Sequence, residues 1–237
     1  MTFAAVLFDM DGVLIDTHHS VTAFWQDLAR RHQVQLGEVA FAQHIYGTPA
    51  THTLAMLFPR LSVVECQDVL TDLARYEAEL VYTEVNGVIS LVRALKQHDI
   101  ATALVTSAQP AKVNDALDQL GINGLFSATV TSNDVKQGKP NPECYLLAAQ
   151  RLNKAPERCI VFEDAISGVM AAVAAGMLCI GIQQAGDAST LLQVGARYTV
   201  PDFTFISVDT SYPQDGPGRS ELSLRISSDQ SLPLSSD

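Results

Sequence analysis

Short apolar runs recur along the 237-residue chain, and most are separated by stretches of helical periodicity. The runs are Ala4–Phe8, Ile100–Val105, Ala128–Thr131, Cys159–Phe162, Leu178–Ile182 and Arg197–Val200. Unbroken apolar runs of this length suit parallel strands buried on both faces, not an antiparallel sheet with one wet face. Between them, Gly87–His98, Ala111–Leu120, Pro142–Leu152, Ser167–Ala175 and Ala188–Val194 carry the apolar spacing of helices. This alternation predicts an α/β fold, a Rossmann-like doubly wound parallel sheet with helices on both faces.

The rhythm breaks once. Between Asp16 and Asn86 no strand pattern occurs, only helical patterns over Ser20–Gln33, Thr48–Leu57 and Val63–Val81. The break follows the first strand directly. Ligands in open α/β sheets bind at the carboxyl ends of strands, so an inserted α-helical cap above that edge is expected. The predicted division is a core of residues 1–16 and 87–208, a cap of 17–86, and a tail of 209–237. The linkers would lie near Asp16–Thr17 and Thr83–Gly87. In the tail, Phe203–Val208 and Glu221–Ile226 alternate, which predicts a hairpin across Asp215–Gly218. Residues from Ser227 onward read as weakly tethered.

Composition narrows the class. At 47% apolar and 17% charged residues the chain can bury a core and is not a disordered one. A net charge of −11 argues against nucleic acid or an anionic membrane surface as partner, since both need basic patches. Ala165–Ile182 has no charge and approaches the ~18 residues of a membrane span. Gly176 divides it into an Ala-rich helical half and a strand-like half, so it reads as buried helix and buried strand. Cys66, Cys144, Cys159 and Cys179 form no C-x-x-C pair and read as free thiols. With no basic leader pattern at the N-terminus, a cytoplasmic protein is expected. No motif points to an obligate protein partner.

The chemistry follows from what each run ends in. Asp9 and Asp11 follow Phe8, Thr106 and Ser107 follow Val105, and Glu163 and Asp164 follow Phe162. Any one of these would read as a helix cap. Three strands delivering such groups to the same edge read as a site. Asp9 and Asp11 repel each other unless a cation lies between them. Together with Asp164 or Glu163 they make an oxygen-rich nest suited to Mg²⁺. Lys139, between Gly138 and Pro140, is a better fixed charge than Lys136.

Taken together, DMDGVLID, VTS, GKP and VFEDAISGVMAAVAAGM resemble, in order and spacing, the four motifs of the haloacid dehalogenase-like superfamily. Within it the chain looks most like the sugar-phosphate phosphatases and the β-phosphoglucomutase group. The resemblance implies a Mg²⁺-dependent enzyme with Asp9 as nucleophile and Asp11 as general acid/base. Thr106 and Lys139 would hold the phosphate and the nucleophile, with Ser107 beside them. Asp164 would ligate the metal, and Glu163 would act directly or through water. The chemistry is consistent, because a carboxylate that attacks phosphorus splits one hard step into two.

The implied function is hydrolysis of a small sugar phosphate. A receiver-like signalling domain uses similar residues, but Asp11 and the cap favour turnover. A dehalogenase would not need an acid at Asp11. A phosphonate hydrolase of this group uses a cap lysine, and Asp16–Asn86 contains none. A mutase must grip a second phosphate, yet the loop Tyr46–His52 has no Arg or Lys. His18, His19, Tyr46 and His52 are the candidates for contacts to sugar hydroxyls, along with Thr48.

Overall fold

A computed structural model describes residues 2–183, 189–211 and 221–236 of the chain. Six parallel strands form the central sheet: β1 Ala5–Phe8, β2 Ala101–Val105, β3 Ala128–Val130, β4 Cys159–Glu163, β5 Leu178–Ile182 and β6 Tyr198–Val200. Their order is β3-β2-β1-β4-β5-β6. The direction of winding therefore reverses between β1 and β4, and a doubly wound sheet opens its binding crevice at such a reversal. Phe8 sits in register with Leu104 on one side and Phe162 on the other, so the chain ends of β1, β2 and β4 come level.

The period of two sorts each strand's residues into two layers. On one face Val6, Phe8, Leu104, Ile160 and Phe162 pack with α5 (Val88–Gln97) and α6 (Pro110–Gln119). On the other, Leu7, Val105 and Val161 pack with α7 (Glu143–Arg151) and α8 (Ile166–Ala174). A short helix, α9 (Ser189–Gln193), adds Leu191 to that second layer. Helix α8 and strand β5 account for the uncharged stretch. No helix among the described residues is long and apolar enough to cross a membrane.

Between β1 and α5 lie four helices, α1 His18–Arg31, α2 Glu38–His44, α3 Ala50–Leu57 and α4 Val63–Ala78. They close on their own cluster, which includes Phe24, Trp25, Leu28, Phe41, Leu54 and Phe58. Helix α4 opens with a capping box, since Ser62 Oγ accepts the Glu65 N–H and Glu65 accepts the Ser62 N–H. The α2 helix escaped the sequence pattern because it is seven residues long and buries only Phe41. The chain leaves and re-enters the sheet side by side, with the Asp16 N–H donating to Thr83 O and the Val85 N–H to Leu14 O.

The C-terminal residues correct an expectation. A second, antiparallel sheet runs β7 (Ser207–Ser211), β8 (Glu221–Arg225), β9 (Ser231–Leu234). The Asp215–Gly218 turn lies outside the described residues. Residues 231–234 are firmly tied: the Phe3 N–H donates to Pro233 O, the Ser235 N–H donates to Phe3 O, and Leu232 and Leu234 join the core around Phe8. Pro233 disguised this strand, but an edge strand tolerates a proline whose carbonyl still accepts. The alternation at Phe203–Val208 also misled. Phe203 is buried in the core, and the strand begins only at Ser207.

Candidate active site

The site is built at the reversal of the sheet, from the loops after β1, β2, β3 and β4. Asp9 follows β1 and is buried. Lys139, also buried, arrives from the loop after β3 and bonds Asp9 Oδ1 and Glu163 Oε1, each at 2.5 Å. That loop is pinned on both sides. Asp134 caps a short 3₁₀ turn at Thr131 and pairs with Arg151, while Glu143 accepts the Lys136 and Gln137 N–H groups.

Glu163 closes β4 and is wholly buried. Its Oε1 accepts from Lys139 and from the Tyr145 hydroxyl at 2.8 Å, and its Oε2 from the Asp164 and Ala165 N–H groups. Helix α8 passes so close that a Cβ on Gly168 would lie 1.8 Å from Glu163 Oε1. These contacts fix the Glu163 carboxyl group in place against Lys139.

Asp9, Glu163 and Asp164 can place oxygens within 4.8 Å of one another, and the Asp11 carboxylate lies outside that trio. Three carboxylates against one ammonium leave a surplus of negative charge. Burial pushes the Asp9 carboxyl well above the usual range against the pull of Lys139, and burial also raises Asp164. Burial alone would lower the Lys139 ammonium, but Asp9 and Glu163 outweigh it and hold it above the ordinary lysine range. The buried Oδ1 of Asp164 has no hydrogen-bond partner. Gly12, at φ 75°, leaves room for Asp164, since a Cβ there would lie 2.0 Å from its Oδ2. An orphaned carboxylate oxygen beside an over-charged pair of acids fits a hard divalent cation, with Asp9 and Asp164 as holders.

The cap closes over this floor, and a cavity of about 840 Å³ lies between them. Asp9, Asp11, Thr106, Ser107, Lys139 and Asp164 all face it. Thr106 Oγ1 accepts the Ala108 N–H. Ser107 Oγ instead donates to Gly47 O of the cap, so its hydroxyl joins the two halves. From the cap, His18 Nε2 meets Asp164 Oδ2 at 2.9 Å, and that bond raises the imidazole above its usual range. Its ring leans on Tyr46, whose hydroxyl pairs with Thr22. Of the five cap candidates, His18, Tyr46 and Thr48 line the cavity. His19 and His52 are exposed and are not among the lining residues, and His52 lies against His44. Both are corrected as site residues, because helical geometry turns neighbours of lining residues outward.

Three contributors were not foreseen: Thr17, Lys112 and Tyr145. Thr17 Oγ1 donates to Asp11 Oδ1 at 2.7 Å, and Lys112 Nζ meets the same oxygen at 2.8 Å. Lys112 is buried and also pairs with Glu77 of α4 at 2.9 Å. A signal was present, since Lys112 lies on the same stripe as Val113 and Ala116. A lysine on an apolar stripe needs a partner.

Against known proteins, a family model described as "haloacid dehalogenase-like hydrolase" matches residues 3–176. The validoxylamine A 7'-phosphate phosphatase of Streptomyces hygroscopicus subsp. limoneus is 32% identical over 91% of this chain and 99% of its own. Hexitol phosphatase A of Escherichia coli is 36% identical over 79% of this chain and 87% of its own. The solved β-phosphoglucomutase of Clostridium difficile superposes with a TM-score of 0.74 at 26% identity, covering 86% of this chain and 92% of that one.

Proposed function

The chain belongs to the haloacid dehalogenase-like hydrolases, and from that premise we propose that it is a Mg²⁺-dependent phosphatase of a small sugar phosphate, working through a phosphoryl group carried on Asp9. One observation carries the reading: the Asp9 carboxylate is held by Lys139 on the floor of the cavity, with Asp11 on the same loop and the orphaned Asp164 oxygen beside it. That is a nucleophile, an acid and a cation seat in one place.

In the first step an Asp9 carboxylate oxygen attacks phosphorus and the bond to the sugar oxygen breaks. The electron pair goes to that oxygen, and Asp11 gives it a proton. In the second step water attacks the same phosphorus, Asp11 takes its proton back, and the Asp9 carboxylate leaves. Lys139 balances charge at Asp9 throughout, and the Thr106 hydroxyl faces the phosphate's position. Mg²⁺, held by Asp9 and Asp164, would offset the phosphate charge that this acidic site otherwise repels. The seated cap excludes bulk water from the intermediate. His18 and Tyr46 are the cap side chains suited to sugar hydroxyls.

The mutase reading is disfavoured on the cavity wall. Its lining includes no arginine, and its lysines, Lys112, Lys136 and Lys139, all come from the core. Lys112 and Lys139 are already matched to carboxylates. Among the described residues, the cap side of the lining offers no Arg or Lys for a second phosphate. A panel of phosphorylated metabolites assayed for phosphate release, with and without Mg²⁺, tests the proposal. Release from one or more sugar phosphates, lost in a chelator and regained with Mg²⁺, is expected. Transfer of the phosphoryl group between positions of one sugar, without release, would overturn it.

A further inference from the structure

Lys112 is a buried cation that no step above requires. It projects from the first turn of α6, in the core, between two carboxylates that belong to different halves of the molecule. One is Asp11, on the loop after β1. The other is Glu77, in the last turn of cap helix α4. Its side chain is 7% exposed, against 27% for Asp11 and 25% for Glu77. The ammonium is the most buried member of the three and borders the cavity with both of its anions already in contact.

The geometry at Asp11 is one-sided. Thr17 and Lys112 both donate to Oδ1. With two donors on Oδ1, Oδ2 is the oxygen left for the leaving group. We propose that Lys112 is a positioning residue for Asp11, holding Oδ1 so that Oδ2 is presented to the leaving group and tying that orientation, through Glu77, to a seated cap. This rests on Asp11 acting as the acid in the proposed reaction. When α4 lifts, Lys112 loses one of its two anions and Asp11 loses a firmly held donor, so proton delivery and cap closure go together. Lys139 plays no part in this, since its anions are Asp9 and Glu163.

The test compares phenyl phosphate with 4-nitrophenyl phosphate, whose leaving groups share a ring and differ in their need for a proton. First-turnover release isolates the leaving step from the second step. Wild-type enzyme with Mg²⁺ should release both. If it released neither, the phosphatase reading itself would fail, whatever Lys112 does. In Lys112→Met, release from phenyl phosphate should fall by about thirtyfold or more, and from 4-nitrophenyl phosphate by less than about fivefold, a fraction of what general acid catalysis supplies. Lys112→Arg should recover most of the difference. Glu77→Gln should shift the ratio the same way by a smaller amount, about threefold to tenfold.

Lys112→Met alone leaves two acids unpaired and can unfold the cap. Lys112→Met/Glu77→Gln removes one charge of each sign and keeps the test alive. It should melt near wild type yet keep the full leaving-group penalty. Equal losses on both phosphates in the folded double variant, or a loss confined to KM, would overturn the proposal and leave Lys112 a strut or a substrate contact.

Discussion

Glu163 and Asp164 are adjacent acids with different surroundings. Their type invites the reading that both hold metal. Four donors already occupy Glu163, while Asp164 keeps an unpartnered oxygen. The first shape holds a lysine, and the second suits a cation. Asp9, Asp11, Thr106, Lys139 and Asp164 were legible because each follows a strand on one sheet edge. Tyr145 and Lys112 were not, since each lies within a helix and its partner is distant in sequence. Replacing Asp9 by Asn should cut turnover on the order of a thousandfold or more with the fold intact, because an amide is a poor nucleophile. Steady-state assay beside circular dichroism reads both halves of that claim. Tyr145→Phe leaves Glu163 one donor short. It should cost about 1–2 kcal/mol of stability and several-fold in kcat with KM little changed. An unchanged kcat would mean that Lys139 is aimed without the tyrosine.

At the scale of elements, the loop from β3 to α7 shows how a backbone segment holds a buried cation. Arg151 and the Thr131 amide hold the Asp134 carboxyl down at about 2. An unfolded aspartate titrates near ~3.9. A depressed folded value means the stabilisation is complete above about pH 4 and is lost as pH falls from there toward 2. Because the group is partly exposed, solvent screening limits it to about 1 kcal/mol. Denaturant titrations should find Asp134→Asn less stable than wild type by that amount at pH 6, with the gap clearly smaller at pH 2.5. A gap that stays constant across that range would deny the linkage. Long periodic elements such as α1, α5 and the six sheet strands were legible in sequence. Helix α2 and strand β9 were not, because one shows a single buried residue and the other hides its alternation behind Pro233.

For the whole molecule, the C-terminal sheet and the cap have opposite relations to the core. The sheet is welded on through Leu224, Leu232 and Leu234, which share a cluster with Phe8 and Phe162. Leu234→Ala should therefore lower global stability by about 2–4 kcal/mol, as cavity formation does, while kcat and KM hold. Loss of activity without loss of stability would place the sheet in the site instead. At the cavity rim the cap meets the core through polar contacts, Ser107 to Gly47, His18 to Asp164 and Lys112 to Glu77, beside apolar packing at Leu80. Such contacts suit opening and closing over a reaction that water must enter once per cycle. The central claim is that this cycle passes through a phosphoryl group on Asp9. The direct measurement is acid-quenched mass spectrometry of Asp11→Asn enzyme mixed with Mg²⁺ and 4-nitrophenyl phosphate, a variant that should be phosphorylated and then stall. The account predicts one phosphoryl group per chain, on the peptide containing Asp9 and absent from Asp9→Asn. Repeated turnover of nitrophenolate with no covalent label, or a label on any other residue, would contradict it.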